Sequence, residues 1–258
     1  MLSAHIPHLN YIWLLTASTI AGVMNAMAGG GSFLSFPAML GVGVAPVQAN
    51  STNTVALWPG QLVSLATLRG DLRRDLAWTV AVVSLIGGVG GAEVLLHTSQ
   101  VTFLRLIPWL ILVGTAVFAV SGPLSRWMRS RAEHPHLEPK IPRVWLAISL
   151  LPVTFYIGYF GAGGGFLTMT ILALHGMDDM HELNALKVVS QMVSNFCAIV
   201  TFVITGNVEW RFCLISMVFA AFGGWMGAKF TKRVSGAALR AFVVATGCVI
   251  AAWFFWRH

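Results

Sequence analysis

Two glycine runs interrupt otherwise apolar sequence: Gly29-Gly30-Gly31, and Gly163-Gly164-Gly165 about 134 residues later. Glycine lets the backbone turn sharply and lets its N–H groups approach a ligand. A helix that restarts after such a break presents unpaired N–H groups and the positive end of its dipole, which together suit an anion. Polar side chains accompany both runs. Asn25 precedes the first by one helical turn and Ser32 follows it, and Gln48, Asn50, Ser51, Thr52 and Asn53 open the next long segment. In the second half Asn184, Lys187, Ser190, Gln191, Ser194 and Asn195 occupy the corresponding segment. Lys187, Ser190, Gln191 and Ser194 recur at steps of three and four, so they share one side of a helix.

Each feature also has a purely architectural reading. Small residues let membrane helices approach closely, and single Ser, Thr or Asn side chains bond between helices. The repetition of the glycine run, each time after a full apolar segment and before a short one, favours a ligand site over packing alone. A polar face set in hydrocarbon is costly unless it is satisfied or wet. Lys187 stands out because it lies inside a segment that is otherwise apolar or weakly polar; the competing reading is a lysine snorkelling from the helix end. Asp178, Asp179, His181 and Glu182 form a cluster that reads as helix-capping acids in a solvated loop, with a proton relay as the alternative. Glu93 lies late in its segment, and His175 has no partner that sequence identifies.

Other chemistries lack their residues. Ser32 and Ser35 sit near glycines without a histidine to pair with, and there is no phosphate-binding loop and no metal-ligand cluster. Cys197, Cys213 and Cys248 stand apart in apolar stretches, outside any metal or redox spacing. An enzyme is disfavoured, and neither a metal nor a cofactor is expected.

The elements that must position these residues follow from composition. Of 258 residues, 57% are hydrophobic and 10% charged, whereas a soluble domain carries roughly 25% charged residues. The chain reads as an all-α polytopic membrane protein whose partner is the lipid bilayer. Its net charge of +7 reflects Lys and Arg in short loops rather than a nucleic-acid surface. No basic stretch precedes the first apolar run, so that run is expected to remain as a membrane segment rather than a cleaved leader.

Long apolar segments fall at about 10–29, 46–69, 76–97, 101–121, 144–162, 182–205, 211–230 and 237–256, judged against the ~20 residues a spanning helix needs. Shorter pieces at about 32–42 and 165–175 follow the glycine runs, and each reads as a half-helix. Trp58-Pro59 and Pro152 are expected to kink their helices. Repeats at 1–121 and 144–258 flank a basic, proline-bearing linker at 122–143, expected to be a solvated cytoplasmic loop. Basic residues fill the loop at 69–74 in half one and the loop at 229–233 in half two. Counting the short pieces gives five crossings per half, inverted repeats and both termini in the periplasm, an arrangement that puts the basic loops on one side.

On Gly22 to Leu40 with Gly29-Gly30-Gly31 and Pro37, on Ala49-Asn50-Ser51-Thr52-Asn53, and on the echo at Gly158 to Leu167, the chain resembles the TauE/SafE sulfite exporter family. Half two departs from half one: Ile171 stands where Pro37 is expected to recur, and no Asn-Ser-Thr-Asn run returns. The resemblance implies outward transport of small sulfur-containing anions, such as sulfite or sulfoacetate-like organosulfonates, across a bacterial inner membrane. The residues expected around such an anion are Asn25, Gly29, Gly30, Gly31, Ser32, Asn50, Ser51, Asn53, Gly163, Gly164, Gly165, Lys187 and Gln191. A carrier that rocks one half against the other is the leading reading; a channel-like permease or a carrier of another organic anion competes with it. Proton coupling and a homodimer are left open.

Overall fold

A computed structural model describes residues 7–27, 30–132, 142–177, 179–230 and 236–257. The helices are α1 (Pro7–Met27), α2 (Ser32–Gly41), α3 (Pro46–Leu57), α4 (Pro59–Leu68), α5 (Arg74–His97), α6 (Gln100–Ala132), α7 (Arg143–Tyr159), α8 (Gly164–Leu174), α9 (Met180–Ile204), α10 (Trp210–Phe230) and α11 (Gly236–Arg257). No strand occurs among the described residues. Four of these helices have at least 18 residues apolar enough to cross a membrane. The outer faces of the helices carry Trp78, Ile86, Trp145, Val218 and Val249 in the open, which only a lipid environment accommodates without cost. The chain is an all-α membrane protein.

One expectation changes. The segment 122–132 is not loop: α6 continues through it to Ala132, since the arginines there are good helix formers and Pro123 does not end the helix. Residues 133–141 lie outside the described residues. The expected kink at Trp58-Pro59 is present as a one-residue interruption between α3 and α4, with Trp58 itself keeping helical dihedrals (φ −63°, ψ −38°), because proline lacks the N–H and crowds the preceding turn. Pro152, by contrast, lies within a continuous α7.

The two short helices are built alike. Each begins beside a glycine with positive φ, Gly30 (+89°) and Gly163 (+79°). The Phe33 N–H donates to the Gly30 carbonyl and the Phe166 N–H to the Gly163 carbonyl, both at 3.1 Å. Each ends in a Schellman motif, with Gly43 and Gly176 left-handed at the turn. There Val44 N–H donates to Met39 C=O at 3.2 Å, and Met177 N–H to Leu172 C=O at 3.3 Å. The motif satisfies the last carbonyls of a helix too short to bury them otherwise. These landmarks set the repeat at 133 residues rather than 134, so Thr170, not Ile171, faces the Pro37 position.

Half one (α1–α6) and half two (α7–α11) do not form separate cores. The most extensive pairings are α1 with α10 and α5 with α7, each joining one half to the other. Both pairs run parallel. Tyr11 stacks on Phe212 near the starts of α1 and α10, and further along Gly22 abuts the Ala220 carbonyl. Thr154 donates to the Val83 carbonyl at 3.2 Å, and later Gly91 meets the Tyr159 amide. Missing side chains permit these approaches: a Cβ on Gly22 or Gly223 would strike the backbone carbonyl of Ala220 or Thr19. The pair α6–α11 is antiparallel, with Thr115 against Gly247 and Trp109 against Phe255.

Candidate functional site

The first break is held by α1. The Gly31 N–H, at the start of α2, donates to Asn25 Oδ1 at 2.8 Å. The side chain one turn before the glycine run thus folds back to satisfy an orphan donor at the new helix start. Gly31 is pressed against the Ala21 carbonyl and Asn25, so no side chain fits there. Ser32 opens α2 half-buried, and Gly29 lies outside the described residues. From the other side, Ser35 donates to Asn53 Oδ1 at 2.6 Å, which joins α2 to α3.

Tyrosine and packing hold the second break. Tyr156 OH donates to the Ala162 carbonyl at 2.7 Å and to Leu110 C=O at 3.3 Å. A Cβ on Gly164 would strike Ile157, and one on Gly165 would lie 2.7 Å from Gln191 Oε1. Among the described residues no side chain caps α8. The two breaks differ in what takes the amide at the helix start: Asn25 Oδ1 accepts from Gly31 N–H, whereas the Gly161 carbonyl accepts from Gly164 N–H at 3.2 Å.

The breaks meet at one residue. A Cβ on Gly114 of α6 would lie 2.6 Å from Phe33 Cζ, in the first turn of α2, and 2.9 Å from the Ala162 carbonyl. Gly163 approaches the Gly114 backbone from the same direction. Asn50, on α3, donates to the Tyr159 carbonyl at 3.0 Å and ties half one to the end of α7. Phe36, Phe103, Tyr156, Tyr159 and Phe160 stack edge-on around this meeting point. The tip of the Phe33 ring from α2 and the Ala162–Gly163 backbone ahead of α8 thus both pack on Gly114 of α6. A surface crevice of ≈ 340 Å³ between Leu9, Asn10, Ile12, Trp13 and Thr16 lies at the outer part of α1 and has no share in this packing.

The polar residues of α9 divide between two neighbours. Ser190 accepts from Ser84 at 3.0 Å, and Ser194 donates to the Ser84 carbonyl at 3.1 Å; both are fully buried against α5. The expectation of one wet face through all four residues therefore fails for this pair. Their hydroxyls bond between helices, each such bond being worth about 0.6 kcal/mol in a membrane. Lys187 and Gln191 turn instead toward α8. Lys187 Nζ sits 6.0 Å from the Phe166 ring centre and Gln191 packs on Gly165, so both border the first turn of α8. Ser51 bonds to its own helix at the Val47 carbonyl, 3.0 Å away.

Sequence reading passed over Gly114, Tyr156 and the aromatic group. Tyr156-Ile-Gly-Tyr159-Phe160 directly before Gly161 was the available signal. Nothing local marks Gly114 as the residue both breaks touch. Asp179 caps α9 by accepting from the His181 and Glu182 amides at 2.7 and 3.1 Å, the capping role expected of that cluster; Asp178 lies outside the described residues.

A family model described as sulfite exporter TauE/SafE matches residues 14–254. Among similar proteins, a probable membrane transporter protein of Haemophilus influenzae is 25% identical over 236 residues, covering 90% of this chain and 89% of that one. The probable membrane transporter protein YfcA of Escherichia coli K12 is 23% identical, covering 93% and 87%. The probable membrane transporter protein ORF9 of a Sinorhizobium species is 24% identical, covering 93% and 90%. No solved structure matches the chain.

Proposed function

The chain belongs to the sulfite exporter TauE/SafE family of membrane transporters, and on that premise we propose that it exports a small sulfur-containing oxyanion, sulfite or a sulfoacetate-like organosulfonate, by alternating access. The observation that carries this reading is the packing of both breaks on Gly114, through the Phe33 ring and the Ala162–Gly163 backbone. In this reading the anion docks at the first turn of α8, against the Gly165 amide; the Gly164, Phe166 and Leu167 amides donate to the Gly161 and Gly163 carbonyls. Lys187 supplies charge and the Gln191 carboxamide supplies a donor. Asn25, Asn50, Ser51 and Asn53 act mainly by holding the two breaks in place, and Ser32 faces the site from the other half.

Helix directions support inverted halves in the bacterial inner membrane. The turns at 98–99 and 205–209 are too short to recross a bilayer, so each reverses the chain. With α1 parallel to α10 and α5 parallel to α7, α1 then runs opposite to its counterpart α7. Arg69, Arg73, Arg74, Arg143 and the C-terminal end of α10 fall on one side, the cytoplasmic one by the positive-inside rule. Both termini are then periplasmic.

The test is thermal stabilisation of the purified protein by sulfite, sulfoacetate, taurine, sulfate, thiosulfate and acetate, since a ligand of the native state raises apparent stability by mass action. Stabilisation by sulfite or a sulfonate, lost in Lys187→Ala and in Gln191→Ala, is expected. Equal stabilisation of wild type and both variants removes these residues from the site; no stabilisation by any sulfur anion counts against the substrate class.

A further inference from the structure

We propose that the bodies that move against each other are not the two sequence halves but two bundles, each assembled from both halves: α1, α2, α3 and α10 in one, and α5, α7, α8 and α9 in the other. The proposal rests on the transport reading for its purpose and on the packing alone for its content.

Within each bundle the contacts leave no room to slide. Backbone meets backbone at Gly22–Ala220 and Gly223–Thr19 in the first, and at Gly91–Phe155 and Gly158–Gly88 in the second. Hydrogen bonds fasten the same sets. Gly31 N–H to Asn25, Ser35 to Asn53, and Glu209 N–H to Thr52 Oγ1 at 3.0 Å lie in the first bundle. Ser84 to Ser190, Ser194 to the Ser84 carbonyl and Thr154 to the Val83 carbonyl lie in the second. One continuous apolar cluster, from Leu76 and Leu146 through Leu172 to Val189, draws its buried members from α5, α7, α8, α9 and the turn after α8. The far ends of α5 and α9 (Ala92, Leu95, Ala198, Phe202) belong to a different cluster, shared with α1, α2, α3, α6, α10, α11 and Tyr159 at the end of α7, so it spans both bundles. That shared end is the pivot, and the Leu76–Val189 end, touched from outside its bundle only lightly, by Leu65 of α4 and by Leu72, is the end that swings.

Between the bundles lies a thinner seam of α3 and α4 against α9 and the end of α7. Polar bonds along it run from Asn50 to the Tyr159 carbonyl, from Trp58 Nε1–H to the Met192 carbonyl at 3.2 Å, and from Asn195 to Gln61 at 3.2 Å. The chain crosses from one bundle to the other at 69–73 and at 205–209. Each crossing carries a glycine, Gly70 and Gly206, with open space around it. Rocking halves would instead have to tear apart α1–α10 and α5–α7, the most extensive seams among the described residues, and packed cores of that kind switch as units rather than deform.

The experiment is pairwise spin-label distance measurement in phospholipid vesicles, with Cys197, Cys213 and Cys248 replaced by alanine and label pairs at lipid-facing positions. Ile20 with Phe222 and Val82 with Ile148 each join the two halves within one bundle; Ile20 with Val82 and Ile148 with Phe222 each lie within one half across the seam. The first two pairs are expected to give single narrow distances. The second two are expected to give distributions at least about twofold broader, or two peaks, because the bodies exchange. Narrow half-internal pairs with broad cross-half pairs would restore rocking halves, and four equally narrow or equally broad distributions would likewise overturn the bundles. The readout needs no substrate, so failure of the sulfur-anion reading leaves it intact.

Discussion

Replacing Asn25 by alanine separates a strut from a ligand. The carboxamide oxygen accepts the Gly31 N–H at 2.8 Å, and Gly31 is buried. Alanine takes the acceptor away and leaves that donor in a dry setting, where an unsatisfied backbone group costs about 1–3 kcal/mol. Each kcal/mol lowers a melting temperature by roughly 2–4 °C in a chain of this size, so Asn25→Ala should melt roughly 2–12 °C below wild type. Thermal scans in detergent, followed by circular dichroism at one fixed scan rate, read this directly. Asn207→Ala is the control, because its amide bonds only within the exposed turn at Thr205; its melting should match wild type. An Asn25→Ala protein that melts with wild type yet no longer responds to a sulfur anion would refute the reasoning and make Asn25 a ligand.

Further outcomes follow from the packing and from chain direction. Gly22→Ala forces α1 off the Ala220 carbonyl and should cost about 1–3 kcal/mol of stability. Gly60→Ala, on α4 with nothing within 4 Å of the added Cβ, should be neutral or stabilise by roughly 0.5–1 kcal/mol; denaturant titration of the two variants checks the pair. A single cysteine at Gly70 should react with a membrane-impermeant maleimide only from the cytoplasm, and one at Gly206 only from the periplasm. Labelling of both from the same side would overturn the assigned directions.

Helix placement was largely legible in the sequence because apolar length and glycine breaks are local signals. Segments read at 46–69, 182–205 and 211–230 fall on α3–α4, α9 and α10. What failed was non-local. The steps from Lys187 to Ser194 locate four residues on one stripe, but whether a residue meets α5 or α8 depends on how α9 is rotated between them. Ser190 and Ser194 thus went to Ser84, while Lys187 and Gln191 went to α8. Composition misread 122–132, where charged residues suggested loop and the helix ran on. The repeat was visible in the glycine runs, but its 133-residue register needed the paired turns at Gly43 and Gly176. Gly114 was invisible: one glycine in an apolar helix reveals nothing of what crowds against it.

The pairing of α1 with α10 also bears on how the protein is made. Gly22 waits for Ala220, about 200 residues later, and at ~5–20 residues per second the ribosome delivers that partner roughly 10–40 s afterwards. Through that interval the glycine-bearing face of α1 has only lipid or an insertase against it. A chain truncated after α6 would lack the mates of α1, α5 and α6 alike, and would meet quality control as an orphan. Two half-length chains made in the same cell should rescue each other, since the bilayer keeps both in one plane until the matching seams close.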